Sequence, residues 1–388
     1  MRVSSRARRW TATVFVAVLV FGLNASGASR PATLRVSDGI HDADPDAQKV
    51  VEIIERKMKE QDLTSAVYGV WRGDEVVAVG AIGDSPIGVP ATPDMRVRIG
   101  QPMESMLSTV LLQLDGEGVV PQDEPIATWL PDFPRADRIT PRMLASSTSG
   151  ISDYVTNPTF LKQFYANPFT GFTSDQLFAL ANERPPLFEP GTNLAYAHSD
   201  LVVLGEVLQR ATGKPLGDLL RERVLGPLAM RDSEVVLTSQ IGEPFLHGYT
   251  NERGFFEDSS FWNPTAFLHS GNMTTTVADV ATWIRALADG RLLTDAEHEA
   301  MMAPSTAGLG PLTKDKFFAY GIAHPGDWWF MDPSYGGYHG VVYYDTQTQT
   351  LVIAYVTLGP TSDASTDNAL PLGKEIASAL VPDNPPQV

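Results

Sequence analysis

The spacing of hydrophobic residues changes along the chain and predicts helices in its middle and strands toward both ends. In five segments, apolar residues recur every three or four positions, which is typical of amphipathic helices. These predicted helices cover residues 48–61, 101–117, 201–212, 277–288 and 374–380. Gly118, Gly213 and Gly290 each follow one of these segments closely, as expected where a helix ends.

Runs rich in valine, isoleucine and tyrosine predict strands near both chain ends. Residues 66–81 favour a β-hairpin that turns at Gly73, and residues 340–344 and 351–358 favour two later strands. We therefore expect an α/β (α+β) fold, with one antiparallel sheet built from both chain ends and a mainly helical subdomain inserted at roughly 120–270. Ligands of such proteins tend to bind in the groove between the two parts.

The first residues have the pattern of a secretory signal. Arg2, Arg6, Arg8 and Arg9 precede a short apolar stretch, and small residues at 26–28 fit a cleavage site. We predict a signal peptide at 1–28, a polar leader at 29–46 and the main domain at 47–388. A retained signal anchor is the alternative. With cleavage, we expect an exported protein, secreted or periplasmic, without stable membrane insertion.

The amino-acid composition argues against several classes of site and partner. The chain has 388 residues and no cysteine, which excludes disulfides, thiolate metal sites and a cysteine nucleophile. Its formal net charge of -17 argues against nucleic acid as a partner, because phosphate contacts need clustered Lys and Arg. The seven histidines show no metal-ligand spacing. The sequence therefore indicates no metal and no cofactor, and it leaves the oligomeric state open.

Several short segments carry a family resemblance. In chain order they are 98–100 (Arg-Ile-Gly), 114–118 (Leu-Asp-Gly-Glu-Gly), 123–125 (Asp-Glu-Pro), 129–131 (Trp-Leu-Pro), 139–144, 147–150, 188–192 (Phe-Glu-Pro-Gly-Thr), 211–215 and 226–230. Together they resemble the penicillin-binding-protein-like serine hydrolases, which include class C β-lactamases, D-alanyl-D-alanine carboxypeptidases, D-aminopeptidases and esterases. The resemblance covers roughly residues 47–380 and implies a β-lactamase/transpeptidase-like fold, with an antiparallel sheet flanked by helices.

The first catalytic element of that family is Ser-x-x-Lys at the start of the central helix. Its Ser attacks a carbonyl carbon, and its Lys takes or relays the proton. The element stands seventeen residues before the glycine that ends the helix, which in this chain is Gly118. Gln101 therefore stands at the Ser position and Glu104 at the Lys position. No Ser-x-x-Lys occurs anywhere in the sequence.

The other two family elements are also changed. Tyr-x-Asn becomes Tyr196-Ala197-His198, which keeps the tyrosine and replaces the asparagine. The Lys-Thr-Gly or His-x-Gly element, which binds the substrate carboxylate in the family, aligns with Met331-Asp332-Pro333. The basic residue is lost, and proline replaces the glycine that lets substrate approach. With Ser334, these positions complete the predicted groove.

The replacements suggest a new polar cluster. Glu104 would accept hydrogen bonds where the family lysine donates them, and we expect Tyr196 and His198 to be the donors. Such a cluster fits a structural remnant, a binding pocket for a small molecule or peptide, or an acid/base site. Trp328, Trp329 and Phe330 precede the third element and either line the groove or belong to the core.

Three functions remain open from the sequence. The main hypothesis is a secreted pseudoenzyme with a binding or regulatory role in the remnant groove. The second is an enzyme with altered acid/base chemistry that uses Glu104, Tyr196 and His198. The third is a family-type hydrolase, esterase or peptidase that acts through a nucleophile not recognised in the sequence. A glutamine amide has no oxygen that a base can activate for acyl transfer, which favours the first.

Overall fold

The computed structural model describes residues 44–387. The predicted signal peptide lies outside these residues, as does most of the predicted leader. The first helix begins at Pro45, within the last residues of the predicted leader. Asp44 caps this helix by accepting a hydrogen bond from the Asp46 backbone amide at 2.9 Å. Within the described part of the chain, no helix is long and apolar enough to cross a membrane.

The described residues contain ten α-helices. They are α1 (Pro45–Glu60), α2 (Pro102–Gly116), α3 (Pro141–Ala145), α4 (Pro158–Ala166), α5 (Ser174–Asn182), α6 (His198–Thr212), α7 (Leu216–Leu220), α8 (Val277–Ala288), α9 (Asp295–Met302) and α10 (Ala369–Leu380). Five of the ten, α1, α2, α6, α8 and α10, correspond to the predicted segments. Gly213 ends α6 in the left-handed conformation, at φ 68°. The last helix begins five residues earlier than predicted, because Pro371 in its first turn hides the helical pattern.

The strands form one large sheet and two small ones. They are β1 (Leu63–Arg72), β2 (Glu75–Gly83), β3 (Val97–Arg98), β4 (Glu234–Val235), β5 (Tyr249–Thr250), β6 (Glu257–Asp258), β7 (Met273–Thr275), β8 (Lys316–Ala319), β9 (Ile322–Pro325), β10 (Trp328–Met331), β11 (Ser334–Tyr335), β12 (Tyr338–Asp345) and β13 (Thr350–Leu358). The large sheet has the order β2-β1-β13-β12-β10-β9-β8, with β11 paired to β12. All its pairs are antiparallel.

This topology confirms the predicted sheet built from both chain ends. β1, near the start of the chain, pairs along its whole length with β13, so that Val67 lies opposite Tyr355. The predicted hairpin is β1–β2, and the two predicted late strands are β12 and β13. The helices α3 to α7 and the short strands β4 to β6 lie between β3 and β7 in the chain.

The large sheet is covered on both faces. Along β1, Val67 and Trp71 belong to the core that contains α2 and α8, whereas Tyr68 and Val70 pack with α1 and α10. This alternation follows from the two-residue period of a strand. Strand β10 alternates in the same way, so Trp328, Trp329 and Phe330 are all buried core residues. The interpretation of these aromatics as groove residues is therefore wrong.

Candidate functional site

The backbone before α2 packs closely against the segment that precedes β7. Gly100 precedes the helix in the left-handed region at φ 60°, and a Cβ on Gly271 would lie 2.8 Å from its Cα atom. Such contacts require glycine at both positions. Gln101 follows and is 8% exposed. Its Oε1 accepts a hydrogen bond from the Asp332 backbone amide at 2.8 Å. The side chain at the family's nucleophile position therefore links α2 to the turn after β10.

Glu104 lies in the first turn of α2 and is buried, with 1% of its surface exposed. Its Oε1 accepts a short hydrogen bond from the Tyr196 hydroxyl. Its Oε2 is buried and has no hydrogen-bond partner among the described residues. Burial raises the pKa of Glu104 well above its usual value, and Asp332 and Asp153 raise it further, against the hydrogen bond from Tyr196. This carboxyl group therefore favours its protonated form more than an exposed glutamate does.

A tight hairpin closes the inner side of Glu104. Tyr320 and Gly321 connect β8 to β9 with positive φ angles of 51° and 79°. Both central residues of a type I′ turn have positive φ, and such turns commonly join two antiparallel strands. A Cβ on Gly321 would lie 2.8 Å from the Glu104 backbone carbonyl carbon and its Cβ. The hairpin thus packs directly on the backbone that positions the carboxyl group.

Tyr196 and His198 lie at the start of α6, opposite Glu104. Their rings meet edge to face, with centroids 5.1 Å apart. The prediction that Tyr196 donates to Glu104 is matched by the structure, but the same prediction for His198 was wrong. Nδ1 of His198 lies within hydrogen-bonding distance of Oδ2 of Asp153, at 3.1 Å. Burial and the nearby Glu104 raise the pKa of Tyr196 well above its usual value.

The third changed element forms the opposite edge of the groove. Asp332, Pro333 and Ser334 line it, whereas Met331 points into the core and is fully buried, so its placement in the groove was wrong. The side chain of Asp332 is open to solvent on one side. The protein around it nevertheless displaces enough water to raise its pKa to about 6. Met331 therefore stands at the family's basic position, and the carboxyl group of Asp332 follows it at the edge of the groove.

These segments enclose a cavity of about 460 Å³. It brings together every predicted site residue except Met331. Sequence reasoning missed Asp367, before α10, and His339, on β12, which also line it. Burial raises the pKa of Asp367 to about 7 and lowers that of His339 to about 4. Neither belongs to a recognisable motif, because each reaches the groove only through the pairing of distant segments.

In the described part of the chain, no serine or threonine hydroxyl that lines the cavity is hydrogen-bonded to a histidine or lysine. Ser270 Oγ donates to the Phe267 carbonyl at 3.2 Å, and Ser365 Oγ donates to Asp363 at 2.6 Å. Neither hydrogen bond joins a serine to a histidine or lysine base. Across residues 44–387, no group of three or more His, Cys, Asp or Glu side chains is arranged to hold a metal ion.

Comparison with known proteins confirms the fold and the resemblance. The model of the beta-lactamase family matches residues 50–374. A D-stereospecific amidohydrolase from Streptomyces is 25% identical, with a TM-score of 0.73 over 84% of this chain and 97% of its own. The D-amino acid amidase of Ochrobactrum anthropi has a TM-score of 0.72 over 86% of this chain and 99% of its own, at 22% identity. The predicted β-lactamase/transpeptidase-like fold is therefore confirmed.

Curated relatives match over shorter stretches. Esterase EstB of Burkholderia gladioli is 29% identical over 48% of this chain and 50% of its own length. A D-aminopeptidase of Cereibacter sphaeroides is 30% identical over 50% of this chain and 38% of its own length. The alignments thus span half or less of these relatives.

Proposed function

Because the chain belongs to the beta-lactamase family, we propose that its groove binds a small molecule or peptide without forming an acyl-serine intermediate. The observation that carries this proposal is the pair Gln101 and Glu104 at the start of α2. Gln101 accepts a backbone hydrogen bond with the only oxygen of its side chain. An amide oxygen in that arrangement offers no hydroxyl for a base to activate.

Cavity size and polarity support binding. A volume of about 460 Å³ falls in the range of small-molecule sites. The unpartnered Oε2 of Glu104 offers one hydrogen-bonding position to a ligand. When protonated, it donates a hydrogen bond to the ligand, and when ionised it accepts one.

The relatives support a second candidate, a family-type hydrolase that acts without the Ser-x-x-Lys pair. The names esterase, D-aminopeptidase and amidohydrolase all describe hydrolytic enzymes. In this groove, such a reaction would depend on acid/base chemistry. Protonated Glu104 would donate to a leaving group or carbonyl oxygen, Tyr196 would hold Glu104 in place, and the His198–Asp153 pair would take a proton from water. Acyl transfer through a serine would instead need a nucleophile outside the family position.

Intact mass spectrometry separates these candidates. The purified protein is incubated separately with a penicillin, a cephalosporin and a fluorophosphonate, and turnover of a chromogenic ester is followed in parallel. We expect no mass adduct and no turnover, because the serine that these probes acylate is replaced by Gln101. EstB, treated identically, is the positive control for turnover of the chromogenic ester. A stoichiometric adduct would contradict the proposal, and peptide mapping would then identify the nucleophile. Ester turnover without an adduct would favour the acid/base enzyme.

We also propose that the protein is exported, on the basis of the basic, apolar and small-residue pattern at 1–28. The test is N-terminal sequencing of the protein recovered from the medium or the periplasm of an expressing bacterium. We expect the mature chain to begin at Ser29, after the small residues that precede the cleavage site. Recovery of the intact N-terminus in the membrane fraction would indicate a signal anchor instead.

A further inference from the structure

The charged side chains that line the groove are mainly acidic. Carboxyl groups reach it from four separate segments: Glu104 on α2, Glu252 after β5, Asp332 after β10 and Asp367 before α10. Among the described residues that line the cavity, none is a lysine or arginine. A cleft with walls of one charge concentrates ligands of the opposite charge. The groove therefore disfavours a carboxylate ligand.

The hydrogen bonding of Glu104 independently points to a ligand position in the groove. Glu252 is satisfied, since Tyr165 and Thr250 donate to its two oxygens at 2.9 and 3.1 Å. Asp367 accepts from the backbone amide of Ala369 at 2.9 Å. In contrast, Oε2 of Glu104 is buried without a partner in the described chain. A buried polar atom without a hydrogen-bond partner destabilises the folded protein unless a ligand or a water molecule supplies that partner.

The remaining walls are rich in aromatic rings. Tyr196, Phe267 and Tyr335 line the cavity, and the last two meet edge to face with centroids 5.0 Å apart. Aromatic faces attract cations through their quadrupole and also contact apolar groups. The guanidinium of Arg98 lies 5.2 Å from the centroid of the Tyr335 ring, but Arg98 itself does not line the cavity.

We infer that the groove recognises its ligand through an ammonium group, which lies between Glu104 and Asp332 while the apolar part of the ligand contacts the aromatic walls. This inference rests on the proposed function, since it names the class of ligand for the same groove. An ammonium group would donate a hydrogen bond to Oε2 of Glu104. Its positive charge would be balanced by the negative charges of the carboxylates. The lost basic residue of the third family element is consistent with this reversal of ligand charge.

Ligand binding is then coupled to proton release. Burial favours the protonated forms of these carboxyl groups in the empty groove, since it raises the pKa of Glu104 well above its usual value, that of Asp332 to about 6 and that of Asp367 to about 7. An ammonium group favours their ionised forms, so affinity increases from about pH 5.5 to pH 8. The other titratable groups that face the ligand are Tyr165, Tyr196, Tyr335, Glu252, His198 with Asp153, and His339, whose lowered pKa keeps it neutral over this range.

Isothermal titration calorimetry with three matched probes tests the inference on the purified protein. The probes are 2-phenylethylamine, the neutral 2-phenylethanol and the anionic 3-phenylpropionate. We expect the amine to bind most tightly, with proton release and with affinity that rises with pH. Asp332→Asn should weaken amine binding on the order of tenfold to a hundredfold, as expected for a lost charged hydrogen bond. Asp74→Asn, in the exposed β1–β2 turn, should leave it unchanged.

The outcomes distinguish this inference from the proposed function. Preferential binding of 3-phenylpropionate, equal binding of all three probes, or no amine binding would overturn the ammonium assignment. Amine binding that Asp332→Asn does not weaken would overturn it as well. The acylation experiment is independent of these results. A penicillin or fluorophosphonate adduct would contradict the proposed binding without acylation, even if the amine binds as expected.

Discussion

The double variant Gln101→Ser/Glu104→Lys is expected to remain a very poor hydrolase. In serine hydrolases, loss of the nucleophile costs on the order of 10⁶ in turnover, and restoring it recovers that factor only if the other elements are in place. Here Met331 stands where the family has a basic residue, Asp332 adds a carboxyl group beside it, and Pro333 replaces a glycine. Burst and steady-state assays with a chromogenic ester measure the result.

One further variant and a measurement of folding serve as controls for this prediction. Gln101→Ser alone controls for adventitious reactivity of a new serine, and circular dichroism shows whether each variant is folded. Strong esterase activity in the double variant would mean that Asp332 and Pro333 do not occupy the position of the third family element. The closeness of Pro333 to Gly100 supports the assignment, since a Cβ on Gly100 would lie 2.9 Å from the Pro333 Cβ.

Glu104→Gln is expected to stabilise the protein increasingly as pH rises above about 4.5. Below that pH, Glu104 is protonated in both the folded and unfolded states and has no effect on pH dependence. Above it, the unfolded chain releases the proton while the folded protein retains it, because burial raises the folded pKa. The free energy of unfolding of the unmodified protein therefore falls with pH, by up to about 1.4 kcal/mol per pH unit from this group.

Urea unfolding of both proteins between pH 4 and pH 8 measures this difference. Glutamine has the size of glutamate and still accepts the hydrogen bond from Tyr196, so any change in packing adds a constant offset. Glu75→Gln, at an exposed position of β2, is the matched control and should show no such slope. A difference between Glu104→Gln and the unmodified protein that stays constant across this range would contradict a raised pKa for Glu104.

The elements with clear local periodicity were predictable from the sequence. The apolar stripes of α1, α2 and α8 and the turn at Gly73 depend on residues close together in the chain, so a short window contains the signal. Burial of β10 was not predictable in this way. Because helices cover both faces of the large sheet, Trp328 and Trp329 are both buried although they point in opposite directions.

The residues of the candidate site were likewise predictable only in part from the sequence. Gln101, Glu104 and Tyr196 were found because fixed spacing relates them to scaffold segments of the family. Asp153 and Asp367 were missed because their places depend on loops that meet only in the folded protein. The partner of His198 could not be deduced either, since Glu104 and Asp153 are both acidic and spacing does not distinguish them.

The pairing of β1 with β13 has a consequence for folding. In register, Leu63 lies opposite Leu358, so the two strands that share this part of the sheet are separated by most of the chain. The β1–β2 hairpin forms from neighbouring residues, but its inner edge stays unpaired until the last strand has been synthesised. Contacts of such long sequence separation slow folding and leave apolar strands open to aggregation. Until β13 is available, the edge of β1 that it covers in the folded protein therefore remains open to pairing with other chains.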